Sequence, residues 1–260
     1  MKLNSVGIQE GYHWIRQGFW LFKQNPLAFL MLVFIYVLVA QLAILIPIIG
    51  VIAVLVLTPT LSVGFMTACR QAIQGERIVP QVYFCALRST PLIRKRILQL
   101  GLLYAIMIFG LSLILSLFIN VQALIPLISN DQAIRPEAIH QLYWALLIGG
   151  LLYFPIAILM WFSPVLVAWE NMSIPQALFS SWIACWTNRG AFLYYILIWA
   201  AILVAIPLLV GASLDTVNLG QAASFIIAPI SMGGLTIMHC SFYASWKGSF
   251  ITDEAMVMGD

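Results

Sequence analysis

Three histidines are the first residues to test for acid–base or metal chemistry, and the sequence keeps them apart. His13 lies in a polar stretch ahead of the first apolar run, His140 in a loop, and His239 inside the last apolar run. No HExxH, P-loop or GxGxxG spacing occurs anywhere in the chain. Gly211-Ala212-Ser213-Leu214-Asp215 begins like a nucleophile elbow but lacks its closing glycine. Asp131, Glu137 and His140 fall near one another and could bind a divalent ion, with a solvated loop as the plainer reading. Cys69, Cys85, Cys185 and Cys240 match no zinc spacing and read as small apolar filler in a reducing compartment. No carboxylate, lysine or arginine sits in the middle of an apolar run. Proton- and sodium-coupled carriers usually place a buried ionisable relay there. His239 is left as the candidate intramembrane polar site, either a ligand or proton site or a neutral imidazole bonded to a neighbouring helix. The expectation is a protein with no catalysis of its own, no cofactor and no bound metal.

The composition explains why chemistry is so sparse. The 260 residues are 63% hydrophobic and 8% charged, and the mean hydropathy is +1.01. Soluble domains carry about 25% charged residues. A bilayer core about 30 Å thick needs about 20 apolar residues per helix. Apolar runs start near Leu27, Ile48, Ile97, Leu142, Ala191 and Gln221, which predicts six spans in one membrane domain covering 1–260. Of the 12 Lys and Arg residues, only Arg135 lies in the loops that alternate with those holding the other eleven. The positive-inside rule then places both termini in the cytoplasm of a bacterial inner membrane. The net charge of +3 comes from residues flanking spans, so it points to headgroups and not to nucleic acid. The first 26 residues show no cleavage pattern, and the first span is expected to stay as an anchor.

The elements recur. Before the first span, Tyr12, Ile15, Phe19 and Phe22 share one helical face, with Trp14 and Trp20 at its edges. That segment is too polar to span and suits a helix lying in the interface. Val79-Pro80-Gln81 opens a second short segment before the third span. Ile174-Pro175-Gln176 opens a third before the fifth, with Leu178, Trp182 and Trp186 on one face. The predicted fold is therefore all-α: three tandem helical hairpins, each preceded by a short amphipathic helix, over about 5–75, 80–171 and 174–249. The middle unit is longer because its outer loop, about 120–141, is extended. Gly75 and Gly248 are expected as helix C-caps.

Two further groups follow from this layout. Pro59, Pro155 and Pro229 lie in the three returning spans and predict kinks, each freeing a carbonyl one turn earlier. Those carbonyls could face a shared cavity or the kinks could serve packing. The six basic residues of loop 70–96, Arg88, Arg94, Lys95 and Arg96 among them, form a basic and aromatic collar at the inner boundary with Trp14, Trp20, Trp169, Trp182, Trp186 and Trp246. The collar could anchor the protein, bind anionic lipid headgroups or dock a membrane-protein partner; a homo-oligomer is a further possibility.

Several stretches carry a family resemblance: Gly18-Phe19-Trp20-Leu21-Phe22 with Asn25-Pro26, Thr58-Pro59-Thr60-Leu61-Ser62-Val63-Gly64, Trp161-Phe162-Ser163-Pro164, Ala177 to Trp186, and Ser241-Phe242-Tyr243-Ala244-Ser245. Together they resemble a proteobacterial inner-membrane family of about this length. The architecture is similar to YciC-like proteins and to the membrane domain of glycerophosphodiester phosphodiesterases. The resemblance implies the fold and compartment and carries no catalytic residue. The functional expectation is an accessory or lipid-associated role in the cell envelope. The alternative is a passive or weakly coupled transporter of a small or amphiphilic molecule through the kinked bundle.

Overall fold

A computed structural model of the chain describes residues 2–118, 136–216 and 223–251. Strand β1 (Lys2–Leu3) leads into helix α1 (Glu10–Gln24). The first hairpin is α2 (Pro26–Ile44) and α3 (Ile49–Ile73). A single 3-10 turn, Pro80–Phe84, precedes α4 (Pro91–Phe118) and α5 (Pro136–Trp169). Helix α6 (Ile174–Thr187) precedes the last hairpin. Its outgoing arm is α7 (Arg189–Ala200), a π-helical turn at Ala201–Ala205 and α8 (Ile206–Thr216). Its returning arm is α9 (Ala223–Ser249), followed by strand β2 (Phe250–Ile251). Six of these helical stretches are long and apolar enough to cross a membrane, as the sequence predicts. Pro207 lacks the N–H that Leu203 would bond, which gives the wide turn in the fifth span a local cause.

The three short elements do not lie idle in an interface. Each packs on the returning span of the hairpin before it in a closed ring. The Pro80–Phe84 turn sits on α3, α6 sits on α5, and α1 sits on α9 and the start of α7. Hydrogen bonds lock the last of these junctions. Lys2 pairs with Ile251 and Leu3 with Phe250 in an antiparallel ladder. Asn4 Nδ2 donates to Gly248 O at 3.0 Å. Buried Asn188, between α6 and α7, accepts from Val6 N at 2.9 Å and donates to Asn4 O at 3.0 Å. Both described chain ends therefore lie on one side of the bundle, called here the terminal side. The other is the hairpin side.

Close approach explains which faces meet. A Cβ at Gly18 would overlap Ser241 of α9, and one at Gly11 would overlap the Ala191 carbonyl of α7. The buried face of α1 is thus Gly11, Trp14, Ile15, Gly18 and Leu21. This corrects the face expected from apolar spacing: Trp14 is 1% exposed and belongs to the core, while Tyr12 is 52% exposed. The same correction applies to α6, whose buried face is Ala177, Ser181, Ala184 and Cys185 and leaves Trp186 outside. The second short segment is shorter than an α-helix. Gly75 ends α3 with φ +72°, as expected of a cap. Gly248 instead lies within α9, where it admits the Trp14 ring.

Packing is uneven across the bilayer. Every span buries its side chains near the terminal side. These are Phe29, Leu32 and Val33 in α2, Pro59 to Cys69 in α3, Ile97 to Ala105 in α4, Phe162 to Val167 in α5, Ala191 to Trp199 in α7, and Thr236 onward in α9. Towards the hairpin side the same helices leave Leu42, Leu117, Leu151, Leu208 and Phe225 exposed.

Candidate functional site

Where the packed half gives way to the open half, the spans line a partly open cavity of about 270 Å³. Tyr36 of α2 and Thr58, Ser62 and Phe65 of α3 form one wall. Trp161 of α5, Tyr195 of α7 and His239 and Phe242 of α9 form the other. A second cavity of about 240 Å³ shares Thr58, Ser62, Trp161 and Phe242 and continues past Pro59 and Pro164 to Tyr104 and Tyr153. Aromatic rings hold the walls: Trp161 lies 5.2 Å from Phe242 and 6.2 Å from Tyr195, and Phe65 lies 5.3 Å from His239.

The polar groups here divide into satisfied and unsatisfied. Tyr83 donates to Leu32 O at 3.0 Å, and burial holds its hydroxyl well above the usual tyrosine range. Thr58 donates to Val54 O at 2.8 Å. The Tyr195 hydroxyl and Ser241 Oγ are 2.8 Å apart, and Trp199 Nε1 also donates to Ser241. His239 Nδ1 is 2.8 Å from Leu235 O. A carbonyl only accepts, so Nδ1 carries the proton in the neutral ring and Nε2 is left with a lone pair. Trp161 Nε1 is buried with no partner among the described residues.

The backbone around Trp161 is held by the neighbouring short helix. Ser181 of α6 donates to Ile158 O at 2.7 Å and accepts from Phe162 N at 3.0 Å. Its hydroxyl thus enters the ladder of α5 one turn from Trp161. Pro164 removes the next N–H that Met160 O would use. Cys185 lies against the same carbonyl, and burial pushes its thiol up to about 12. The sequence contains Ser181, Pro164 and Trp161 but gives no signal that they converge, because a serine inserted into another helix has no spacing rule.

Other predicted site residues lie elsewhere. Pro59, Pro155 and Pro229 are inside helices as expected; Pro59 lines the second of these cavities, and Pro155 and Pro229 are exposed and line neither. Arg88, Arg94 and Lys95 are exposed on the terminal side. Arg96 is committed to structure, donating to Asn171 O at 2.7 Å and Asn171 Oδ1 at 2.9 Å beyond the end of α5. Trp182 and Trp186 stack at 6.0 Å, and the Arg189 guanidinium lies 5.8 Å from the Trp186 ring. His140 belongs to α5 and not to a loop, and accepts from Trp144 Nε1 at 3.1 Å. Asp131 and Arg135 lie outside the described residues. No group of three potential metal ligands occurs among the described residues.

No family model matches the chain, and no solved structure matches it. The sequence is 36% identical, over 260 residues, to a probable inner membrane protein of Burkholderia thailandensis. The alignment covers 98% of this chain and 96% of that protein.

Proposed function

The chain belongs to the family of that probable inner membrane protein, and from this premise we propose that it is a lipid-associated accessory protein of the cell envelope without catalysis of its own. The observation that carries the reading is the cavity at mid-bundle, walled mainly by apolar and aromatic side chains and open to no charged group. A pathway for a polar solute asks for a continuous polar lining, which these walls do not offer. The exposed apolar surface of the hairpin side faces lipid, a membrane-protein partner or a second copy of the chain. The similarity to YciC-like proteins and to the phosphodiesterase membrane domain supports the reading by pattern alone. In the phosphodiesterases the membrane part is distinct from the soluble catalytic domain.

In this reading both termini face the cytoplasm, because eleven of the 12 basic residues flank the terminal side. Arg88, Arg94 and Lys95 then meet anionic headgroups, at about 1 kcal/mol per basic residue. The test is lipid analysis of protein purified in mild detergent, paired with solute flux in proteoliposomes. Retained lipid in stoichiometric amount, with flux at background, is the expected result. Lipid-free protein that passes a small solute would replace this reading with the transporter.

A further inference from the structure

We propose that the paired cavities bind the uncharged, oxygen-bearing head of a neutral lipid, of the quinone or acylglycerol kind, in preference to an anionic phospholipid. This rests on the lipid-associated reading and names the ligand class. Three observations lead to it. First, no Lys, Arg, Asp or Glu lines either cavity. A phosphate or ammonium head would lose its water there with no counter-charge to replace it.

Second, two residues on the wall formed by α5, α7 and α9 offer complementary groups. Trp161 Nε1–H is a buried donor with nothing to receive it. His239 Nε2 is an acceptor, because Nδ1 is held by Leu235 O. A head with a carbonyl or ether oxygen accepts from Trp161, and a hydroxyl donates to His239. A quinol or an acylglycerol offers both. A saturated hydrocarbon tail offers neither and leaves the Trp161 donor orphaned.

Third, the size and shape suit a head larger than a single ring with the start of its tail. A dry apolar cavity of about 150 Å³ holds a benzene-sized molecule. Here about 270 Å³ adjoins about 240 Å³ across Thr58, Ser62 and Trp161. The aromatic walls, with Phe242 against Trp161 and Phe65 against His239, fit a flat conjugated head or the glycerol end of an acyl lipid.

The experiment is calorimetric titration of the full chain in detergent with three probes: ubiquinone-1, dioctanoylglycerol and dioctanoylphosphatidylglycerol. One neutral probe is expected to bind at least about tenfold more tightly than the phosphatidylglycerol, and which one identifies the source. Trp161→Phe is expected to weaken that probe about tenfold, the size of one buried hydrogen bond, and His239→Phe to do the same for dioctanoylglycerol, the neutral probe that carries a hydroxyl. Ser62→Leu fills the junction between the cavities without removing either group, and should abolish binding in a folded protein. Leu117→Ala, on the exposed hairpin side, should leave affinity unchanged. Phosphatidylglycerol binding as tightly as both neutral probes would overturn the inference and leave the lipid-associated reading standing. Unchanged neutral-probe affinity in folded Trp161→Phe and Ser62→Leu would place the site elsewhere and overturn it too. Absence of any binding, with no lipid copurified, would overturn both.

Discussion

The terminal side and the hairpin side are made from the same six helices and the same residue types, yet they are held by different physics. On the terminal side helices touch through glycine, and polar groups bridge elements far apart in sequence: Asn188 to Val6, Asn4 to Gly248, Arg96 to Asn171, Ser181 to Ile158. On the hairpin side the spans present Leu, Ile and Phe outward. A bilayer supplies no hydrophobic drive to bring such faces together, because lipid tails are as apolar as leucine. Close backbone approach and hydrogen bonds must do that, and they are concentrated at one end. The lesson is that a membrane chain sets its rigid part by where it places small and polar residues.

The largest effect that would test this contrast is overpacking. Gly18→Val puts a side chain onto Ser241 of α9 and should destabilise by about 3 kcal/mol. Gly150→Val, towards the hairpin side, meets nothing within 4 Å and should fall within about 0.5 kcal/mol of the parent. Similar losses at both sites, read as thermal midpoints in detergent, would erase the distinction. Next is Asn188→Ala, which strands a partly buried amide and a partly buried carbonyl and should cost about 1–2 kcal/mol. Its sign of success is early release of residues 2–6, seen as faster hydrogen exchange there.

A smaller effect separates structure from surface charge. Arg96→Gln loses the bonds to Asn171 and should cost about 1 kcal/mol. The double change Arg94→Gln with Lys95→Gln should leave the thermal midpoint in place and reduce copurified anionic lipid. If the double variant unfolds as early as Arg96→Gln, the exposed pair is also structural. The subtlest readout is Cys185. Burial raises its thiol to about 12, so the reactive thiolate appears only as pH approaches that value. Maleimide labelling should be slow at pH 8 and rise about tenfold per pH unit to pH 10. Labelling at pH 8 as fast as in denatured protein would show that α6 opens from α5.

The spans, their order and the three short elements were legible in the sequence because length and apolarity answer to bilayer thickness. Which face each helix buries was not. With lipid on one side and core on the other, both faces are apolar, so Tyr12 and Phe19 looked as buried as Ile15. The deciding residues were Gly11 and Gly18, whose meaning depends on a partner more than 170 positions away. Of the cavity, His239 stood out because a lone histidine in an apolar run is conspicuous. Trp161 did not, since nothing in its spacing shows that its Nε1–H lacks a partner among the described residues of the folded bundle. Arg96 was legible as a charge but not as a bond, because its acceptors lie 75 positions away, beyond the returning arm of its hairpin.

The ring of short elements has a consequence in time. Helix α1 (Glu10–Gln24) is synthesised well before its partner α9 (Ala223–Ser249). At about 5–20 residues per second, roughly 10–45 s separate them during synthesis. The start of α7 arrives first and covers Gly11 and Trp14, and until α9 follows the Gly18 end of that face still lacks Ser241. The α3 and α5 junctions close as soon as the next few residues emerge. The nascent protein therefore grows as two local docking events and waits, unclosed, for a third. A chain halted before Ser241 would leave the insertion machinery with every hairpin but the last, and with α1 covered by α7 at Trp14 but bare at Gly18.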